Sequence, residues 1–191
     1  MDKKQLRKMR EKCEKLHKDD KPYKKAANRE FIIYLLGVIT IALCIRTFVF
    51  EPVRVVGPSM YPTLQDGEGM FVEKLTYVFS EPERGDIIIC RYPNYVVKCV
   101  KRIIAVPGDT ISISDGKIYL NGSELDESAY WNDYIYGDMI EVTVPEKSLF
   151  VVGDNRNESG DSRHVGFIPY AQVKGKVHAV MTPFSRARWV D

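Results

Sequence analysis

Twenty consecutive residues, FIIYLLGVITIALCIRTFVF at 31–50, carry one charge, Arg46. At about 1.5 Å per residue a helix of that length spans ~30 Å, the thickness of a bilayer's hydrocarbon core. The uncharged heart is shorter, 31–45, so Arg46 must snorkel to the far interface. A buried core helix fits the apolar run equally well, and the flanking charge separates the two readings. The whole chain has 28 Lys+Arg, 26 Asp+Glu and a net charge of +2, but residues 1–30 hold 12 basic and 6 acidic residues, a net of +6. Residues 47–191 hold 15 basic against 20 acidic residues, a net of −5. By the positive-inside rule the tail stays in the cytoplasm and the acidic remainder is exported. No basic excess survives in that remainder, so a nucleic-acid partner is not expected. A cleavable signal would carry a small-x-small site after the apolar stretch, and Cys44-Ile45-Arg46-Thr47-Phe48 offers none. Ile45 directly after Cys44 likewise does not suit a lipoprotein signal. The expected organisation is a cytoplasmic tail at 1–30, an uncleaved single-pass anchor at 31–50 and an extracytoplasmic domain at 51–191. The tail mixes charge signs at helical spacing, as a solvated helix near anionic headgroups or a plain orienting segment would.

Beyond residue 50, short β-branched runs alternate with Gly, Pro, Asn and Asp. Strands are expected at 52–56, 69–72, 86–91, 96–105, 110–114, 117–120, 140–144, 149–152 and 174–181. Asp115-Gly116 and Asn121-Gly122 are tight-turn dipeptides, which predicts a hairpin over 110–120. No long segment there has helical periodicity. The predicted fold is mainly β: coiled antiparallel sheets or small barrels, with an inserted cap region at roughly 111–147. The acidic, aromatic stretch SELDESAYWNDYIYG at 123–137 suits either a small cap or a long surface loop.

Three polar clusters stand out. In Gly57-Pro58-Ser59-Met60-Tyr61-Pro62-Thr63-Leu64, two prolines and a glycine fix an irregular backbone around one serine. A nucleophile benefits from that rigidity, because its oxygen and a nearby N–H must both face the scissile carbonyl. In the strand run 96–105, alternation sets Val97, Cys99, Lys101, Ile103 and Ala105 on one face, with Lys98, Val100 and Arg102 on the other. Lys101 is the only charge on its face, so it must find a partner, snorkel out or lose its proton. At the usual pKa of ~10.4 a lysine is neutral only about one part in 2,500 at pH 7, so burial would be needed to make it a general base. In the third cluster, 153–166, Asp154, Arg156, Glu158, Asp161 and Arg163 mix both signs around Ser159 and Ser162. Ion pairs there could hold a loop rigid.

Taken in this order after an anchor, the clusters resemble the type I signal peptidase family of bacteria, membrane-bound serine peptidases, in its Gram-positive-type form. Ser59-Met60-x-Pro62-Thr63 is similar to the family's nucleophile box. Lys101-Arg102 through Pro107-Gly108-Asp109 is similar to its lysine box, and Gly153-Asp154-Asn155 through Ser159-x-Asp161-Ser162-Arg163-x-x-Gly166 to its third box. The resemblance implies Ser59 as nucleophile, Lys101 as general base, Ser159 as the lysine-orienting serine, and Asp161 with Arg163 as structural ion-pair positions. It implies Val53, Val55, Val56, Leu64 and Val100 as candidates for shallow pockets that take small residues one and three positions before the cut. Where some members carry a serine that helps hold the oxyanion, this chain has Gly57, which leaves backbone donors or water. Signal peptides of preproteins, membrane lipid and a nearby secretion translocon are the implied partners. No cofactor or metal is expected, and Cys13, Cys44, Cys90 and Cys99 form no metal-ligand pattern. The endoplasmic-reticulum branch has histidine at the Lys101 position, so the bacterial branch is indicated. His164 and His178 are the histidines of the exported part, and His164, at a position the family leaves variable, is not expected to catalyse. Cys90 and Cys99 are expected to face each other across a hairpin turning near Asn94–Tyr95, as a disulfide or as thiols. Two rival readings are an anchored extracellular β-domain without catalysis and a self-cleaving, repressor-like Ser/Lys peptidase.

Overall fold

A computed structural model describes residues 2–93, 96–131 and 133–190, with side chains described outside 17–27. The chain divides into two compact units, Met1–Arg46 and Thr47–Asp191. The first is a single helix, α1 (Lys3–Cys44), which joins tail and apolar run without a break. Asn28–Val49 has a mean hydropathy of 2.3, and none of it is buried by protein, which is not the environment of a core helix. Its apolar surface is what a bilayer would cover. Thr40 donates its hydroxyl to Leu36 O at 2.8 Å, so this polar group in the run is satisfied within the helix. A π-helical turn, Ile45–Val49, follows.

The second unit is built from β1 (Phe50–Arg54), β2 (Gly69–Glu73), β3 (Ile87–Arg91), β4 (Lys98–Ala105), β5 (Thr110–Ser114), β6 (Lys117–Leu120), β7 (Ser123–Glu124), β8 (Met139–Thr143), β9 (Ser148–Val152), β10 (Ile168–Pro169), β11 (Val173–Thr182) and β12 (Arg188–Trp189). One-turn helices α2 (Thr76–Phe79) and α3 (Ser162–Val165) sit between strands. An eight-stranded sheet runs β1-β2-β11-β3-β4-β9-β10 with β12 on β11, and a four-stranded sheet runs β7-β6-β5-β8. Every pairing is antiparallel.

Strand β3 shows why the large sheet is central. Ile87 and Ile89 point into one core with Met60, Leu64, Met70, Val72, Val177 and Val180. Ile88 and Cys90 point into another with Ile103, Leu149, Val151 and Ile168. Both faces of β3 are therefore covered, and its run of isoleucines is the expected signature of such a strand. A third core, with Ile104, Ile111, Ile113, Ile118, Ile135 and Phe150, lies beneath the small sheet. The hairpin over 110–120 forms as expected. Asp115 and Gly116 take φ of 51° and 76°, and β5 pairs with β6 from Ile111↔Leu120 to Ser114↔Lys117. The 123–137 stretch folds onto the small sheet: Leu125 and Trp131 pack on its core, and Leu125 N–H donates to Ile118 O at 2.9 Å.

Most strand bounds differ from expectation by one or two residues, and β4 starts at Lys98 rather than Val96. β1 begins at Phe50 rather than Pro52, because Phe50 pairs with Glu73 and its ring meets Phe71 at 5.3 Å. The two-residue strands β7, β10 and β12 were not expected. Strands this short carry no periodic signal and form only because a partner strand lies alongside. β3 and β4 form the expected hairpin with Cys90 opposite Cys99, and both are thiols. The turn at Asn94–Tyr95 lies outside the described residues.

Candidate active site

Ser59 sits on the loop leaving β1. Met60 and Leu64, buried in the first core, anchor the loop beyond it, and Leu64 N–H donates to Met60 O at 2.8 Å. Before it, Gly57 takes φ 90° and donates its N–H to the Asp66 carboxylate at 2.8 Å, a conformation that favours glycine. From across the site Asn155 N–H donates to Ser59 O at 3.1 Å, and Asn155 Nδ2 donates to Pro58 O at 3.3 Å. The serine is thus held from both sides. Its own N–H has no hydrogen-bond partner among the described residues, so it is free to meet an oxyanion.

Lys101 enters from β4 and is 3% exposed. Its Nζ lies 2.7 Å from Ser59 Oγ and 2.9 Å from Val100 O. Burial depresses its pKa below the ordinary lysine range, partly opposed by Cys99, Asp161, Cys90 and Asp154. A lysine in this setting loses its proton more readily than one in water, and the serine hydroxyl is its immediate neighbour.

The third cluster forms the wall behind the serine. Arg102, next to Lys101 in sequence, binds Asp154 through two hydrogen bonds of 2.9 and 2.8 Å. Asp161 binds Arg163 in the same bidentate way, at 2.8 Å for each bond, and accepts the Gly153 N–H at 3.1 Å. Burial raises the Asp161 pKa, but the hydrogen bonds and charge of Arg163 outweigh it and hold the carboxyl below the usual range. Asp161 and Arg163 therefore stand where structural ion-pair partners would. Ser159 Oγ is buried beside Gly153 and the Asp161 carboxylate, and it makes no hydrogen bond to Lys101. The candidate pocket residues divide. Val53 and Val100 pack partly buried on the first core, Val55 and Leu64 are interior to it, and Val56 is 86% exposed. A groove of about 670 Å³ includes Val53 in its lining but neither Ser59 nor Lys101. His164 is exposed on α3, and His178 lies 3.8 Å from Glu73; neither bonds Ser59 or Lys101.

Sequence reasoning missed a buried polar strut. Arg156 is 1% exposed and ion-paired with Glu127 from the 123–137 stretch, and the Tyr130 ring lies 4.2 Å from the Arg102 guanidinium and 5.5 Å from that of Arg156. Arg156 Nε also donates to Gly153 O at 3.0 Å, so this strut reaches the wall behind Ser59. Glu127→Leu leaves the Arg156 charge buried and unpaired. It should cost about 3–5 kcal/mol in chemical denaturation of the full chain, and adding Arg156→Met should recover most of that loss.

A protein-family model described as signal peptidase, peptidase S26, matches residues 28–182. Signal peptidase I of Bacillus licheniformis is 39% identical over 178 residues, spanning 88% of this chain and 96% of that protein. Signal peptidase I T of Bacillus subtilis is 39% identical over 160 residues, 78% of this chain and 83% of that protein. A probable signal peptidase I-1 of Synechocystis is 37% identical over 169 residues, 84% and 85% of the two chains. A solved signal peptidase I from Enterococcus faecalis is 36% identical and covers 51% of this chain and 97% of its own, with a TM-score of 0.45. The family model spans most of the chain, and the Bacillus relatives match along most of their own length: the chain belongs to the signal peptidase family of S26 peptidases, in its Gram-positive-type bacterial form.

Proposed function

We propose that this chain is a membrane-anchored serine endopeptidase that removes signal peptides from exported preproteins, with Ser59 as nucleophile and Lys101 as general base. The observation that carries the reading is the 2.7 Å contact between Ser59 Oγ and a lysine whose burial favours the neutral amine. Neutral Lys101 takes the Ser59 proton as Oγ attacks the carbonyl before the cut. The Ser59 N–H stabilises the oxyanion, and lysinium then gives its proton to the leaving amine. Water, deprotonated by the same amine, cleaves the acyl-enzyme and restores the serine. Ser159, the expected lysine-orienting serine, makes no hydrogen bond to Lys101 and acts on it only through the wall it shares with Asp161 and Gly153, which Asp161 with Arg163 fixes. In the cell the tail at 1–30 is cytoplasmic, 31–50 crosses the membrane and 51–191 works outside, among lipid and close to the translocon. A non-catalytic β-domain would have no use for a buried lysine against a serine hydroxyl.

The test incubates the full chain in detergent with a preprotein whose signal ends in Ala-x-Ala and identifies the new N-terminus by mass. Cleavage after that motif by wild type, and none by Ser59→Ala, is expected. No cleavage by the folded wild type, or equal cleavage by Ser59→Ala, overturns the reading. The kcat/KM should rise with pH as Lys101 loses its proton, with the rising limb below the ordinary lysine range because burial depresses that pKa.

A further inference from the structure

Two open strand edges face each other beside the dyad. Among the described residues β1 ends its sheet, and its outer edge carries no strand. β4 is paired with β3 from Lys98 to Arg102, but β9 joins its other edge only from Arg102 onward, which leaves 98–101 without a strand on that side among the described residues. Two side-chain links tie the edges together. At one end Lys101 Nζ meets Ser59 Oγ at 2.7 Å; at the other Lys98 Nζ donates to Glu51 Oε1, also at 2.7 Å. Val53 on β1 and Val100 on β4, the two strands that carry these edges, both pack against the first core and offer it as an apolar floor.

An extended peptide laid in this slot would run as an added strand. Its alternate side chains point the same way, so residues one and three before the cut both face the apolar floor, where small side chains fit. Lys98 stands three residues from Lys101, about 10 Å at ~3.3 Å per residue. The peptide residues reaching the second link are therefore the fourth and fifth before the cut.

That link is not neutral. Glu51 also binds Lys74 Nζ at 2.9 Å, and Arg91 stands opposite Lys98 in the β3–β4 register. Hydrogen bonds from Lys98 and then Lys74 hold the Glu51 carboxyl below its usual range, so it stays ionised. One carboxylate faces two ammonium groups, all three partly open to solvent.

We propose that Glu51 and Lys98 form a charge-reading subsite that favours acidic over basic residues four and five positions before the cut. The proposal rests on the assignment of Ser59 and Lys101 as the dyad. Its test uses the full chain in detergent with three preproteins ending their signal in Ala-x-Ala and differing only in Asp, Ser or Lys at both positions. Wild type should rank them Asp above Ser above Lys in kcat/KM, with ~fivefold between the extremes, as partly exposed charge pairs permit, and the spread should shrink at high salt. Lys98→Glu should reverse the order, and Lys98→Gln, which keeps the side-chain length, should flatten it. An unchanged ranking in both variants, or no discrimination by wild type, overturns the subsite. Loss of Ser-substrate cleavage in Ser59→Ala, measured alongside, shows whether the dyad stands when the subsite falls.

Discussion

Lys101→Met will slow signal-peptide removal by about 10²–10⁴-fold, the range expected when a general base is lost, and Lys101→Arg will be equally slow. The second variant is the sharper one. Arginine keeps the positive charge and the reach but does not deprotonate in proteins, so it cannot take the proton from Ser59 Oγ 2.7 Å away. A lysine acting only as a fixed charge would be replaced by arginine at small cost. With Ser59 as the proposed nucleophile, Ser59→Ala should lower kcat by about 10⁵–10⁶-fold, with little more lost when it is combined with Lys101→Met, as expected of a pair that acts as a unit. Stability should move the other way. Burial lowers the Lys101 pKa in the folded protein relative to the unfolded chain, so between those two values the unfolded chain binds more protons and stability rises with pH. The destabilising contribution is therefore complete below the folded pKa and disappears as pH climbs to the ordinary lysine value. Lys101→Met should accordingly have a higher Tm than wild type at neutral pH, and the gain should fade as the pH approaches ~10. An active Lys101→Arg, or a Tm gain that does not change with pH, would count against a neutral working lysine.

Much of this site was legible because its residues are unusual where they stand. Lys101 is a lone charge on an apolar strand face; Ile103 and Ala105 on that face are at 0% exposure, but Arg102 and Ile104 on the other face are buried as well, so packing on both sides rather than alternation buries the lysine. Ser59 lies in a proline- and glycine-bracketed loop, and the loop is indeed held from both sides. The meeting of the two was not legible from residue types, since it depends on the sheet order that carries β1 to β2, β11, β3 and β4 in turn. Arg156 was legible only as one of several charges that could ion-pair within its own loop, and Glu127 only as part of an acidic stretch, because charged residues in loops are normally solvated. Only the folding of the 123–137 stretch onto the small sheet removes them from water, and nothing local in either segment marks that pairing. The same holds for Lys98 and Glu51, two ordinary surface charges until the strand edges that carry them come together.

Gly153→Ala tests the wall directly and should lower kcat by about 10²-fold, the cost of moving a reacting group by roughly 1 Å. Gly153 follows β9, and its backbone is outside the left-handed region, so alanine meets no conformational penalty there. Space is the obstacle. An added Cβ would collide with Ser59 O and with the Ser159 side chain. Ser159 can rotate, but Ser59 O is backbone, and Gly153 cannot retreat easily: its N–H is held by Asp161 and its O by Arg156 Nε. The loop carrying Ser59 must therefore yield, which draws Ser59 Oγ away from Lys101 Nζ. The overpacking itself should cost about 1–3 kcal/mol, too little to account for the rate if the protein remains folded at the assay temperature. KM should change little, because the displaced atoms act on the reacting carbonyl rather than on the rest of the peptide. Gly160→Ala is the matched control in the same loop. Nothing lies within 4 Å of its added Cβ, and its stability and rate should stay within about 0.5 kcal/mol of wild type. Wild-type kcat in a folded Gly153→Ala protein would mean that contact with Gly153 does not set the position of Ser59. The serine would then owe its placement to Met60, Leu64, the Gly57–Asp66 bond and the Asn155 hydrogen bonds.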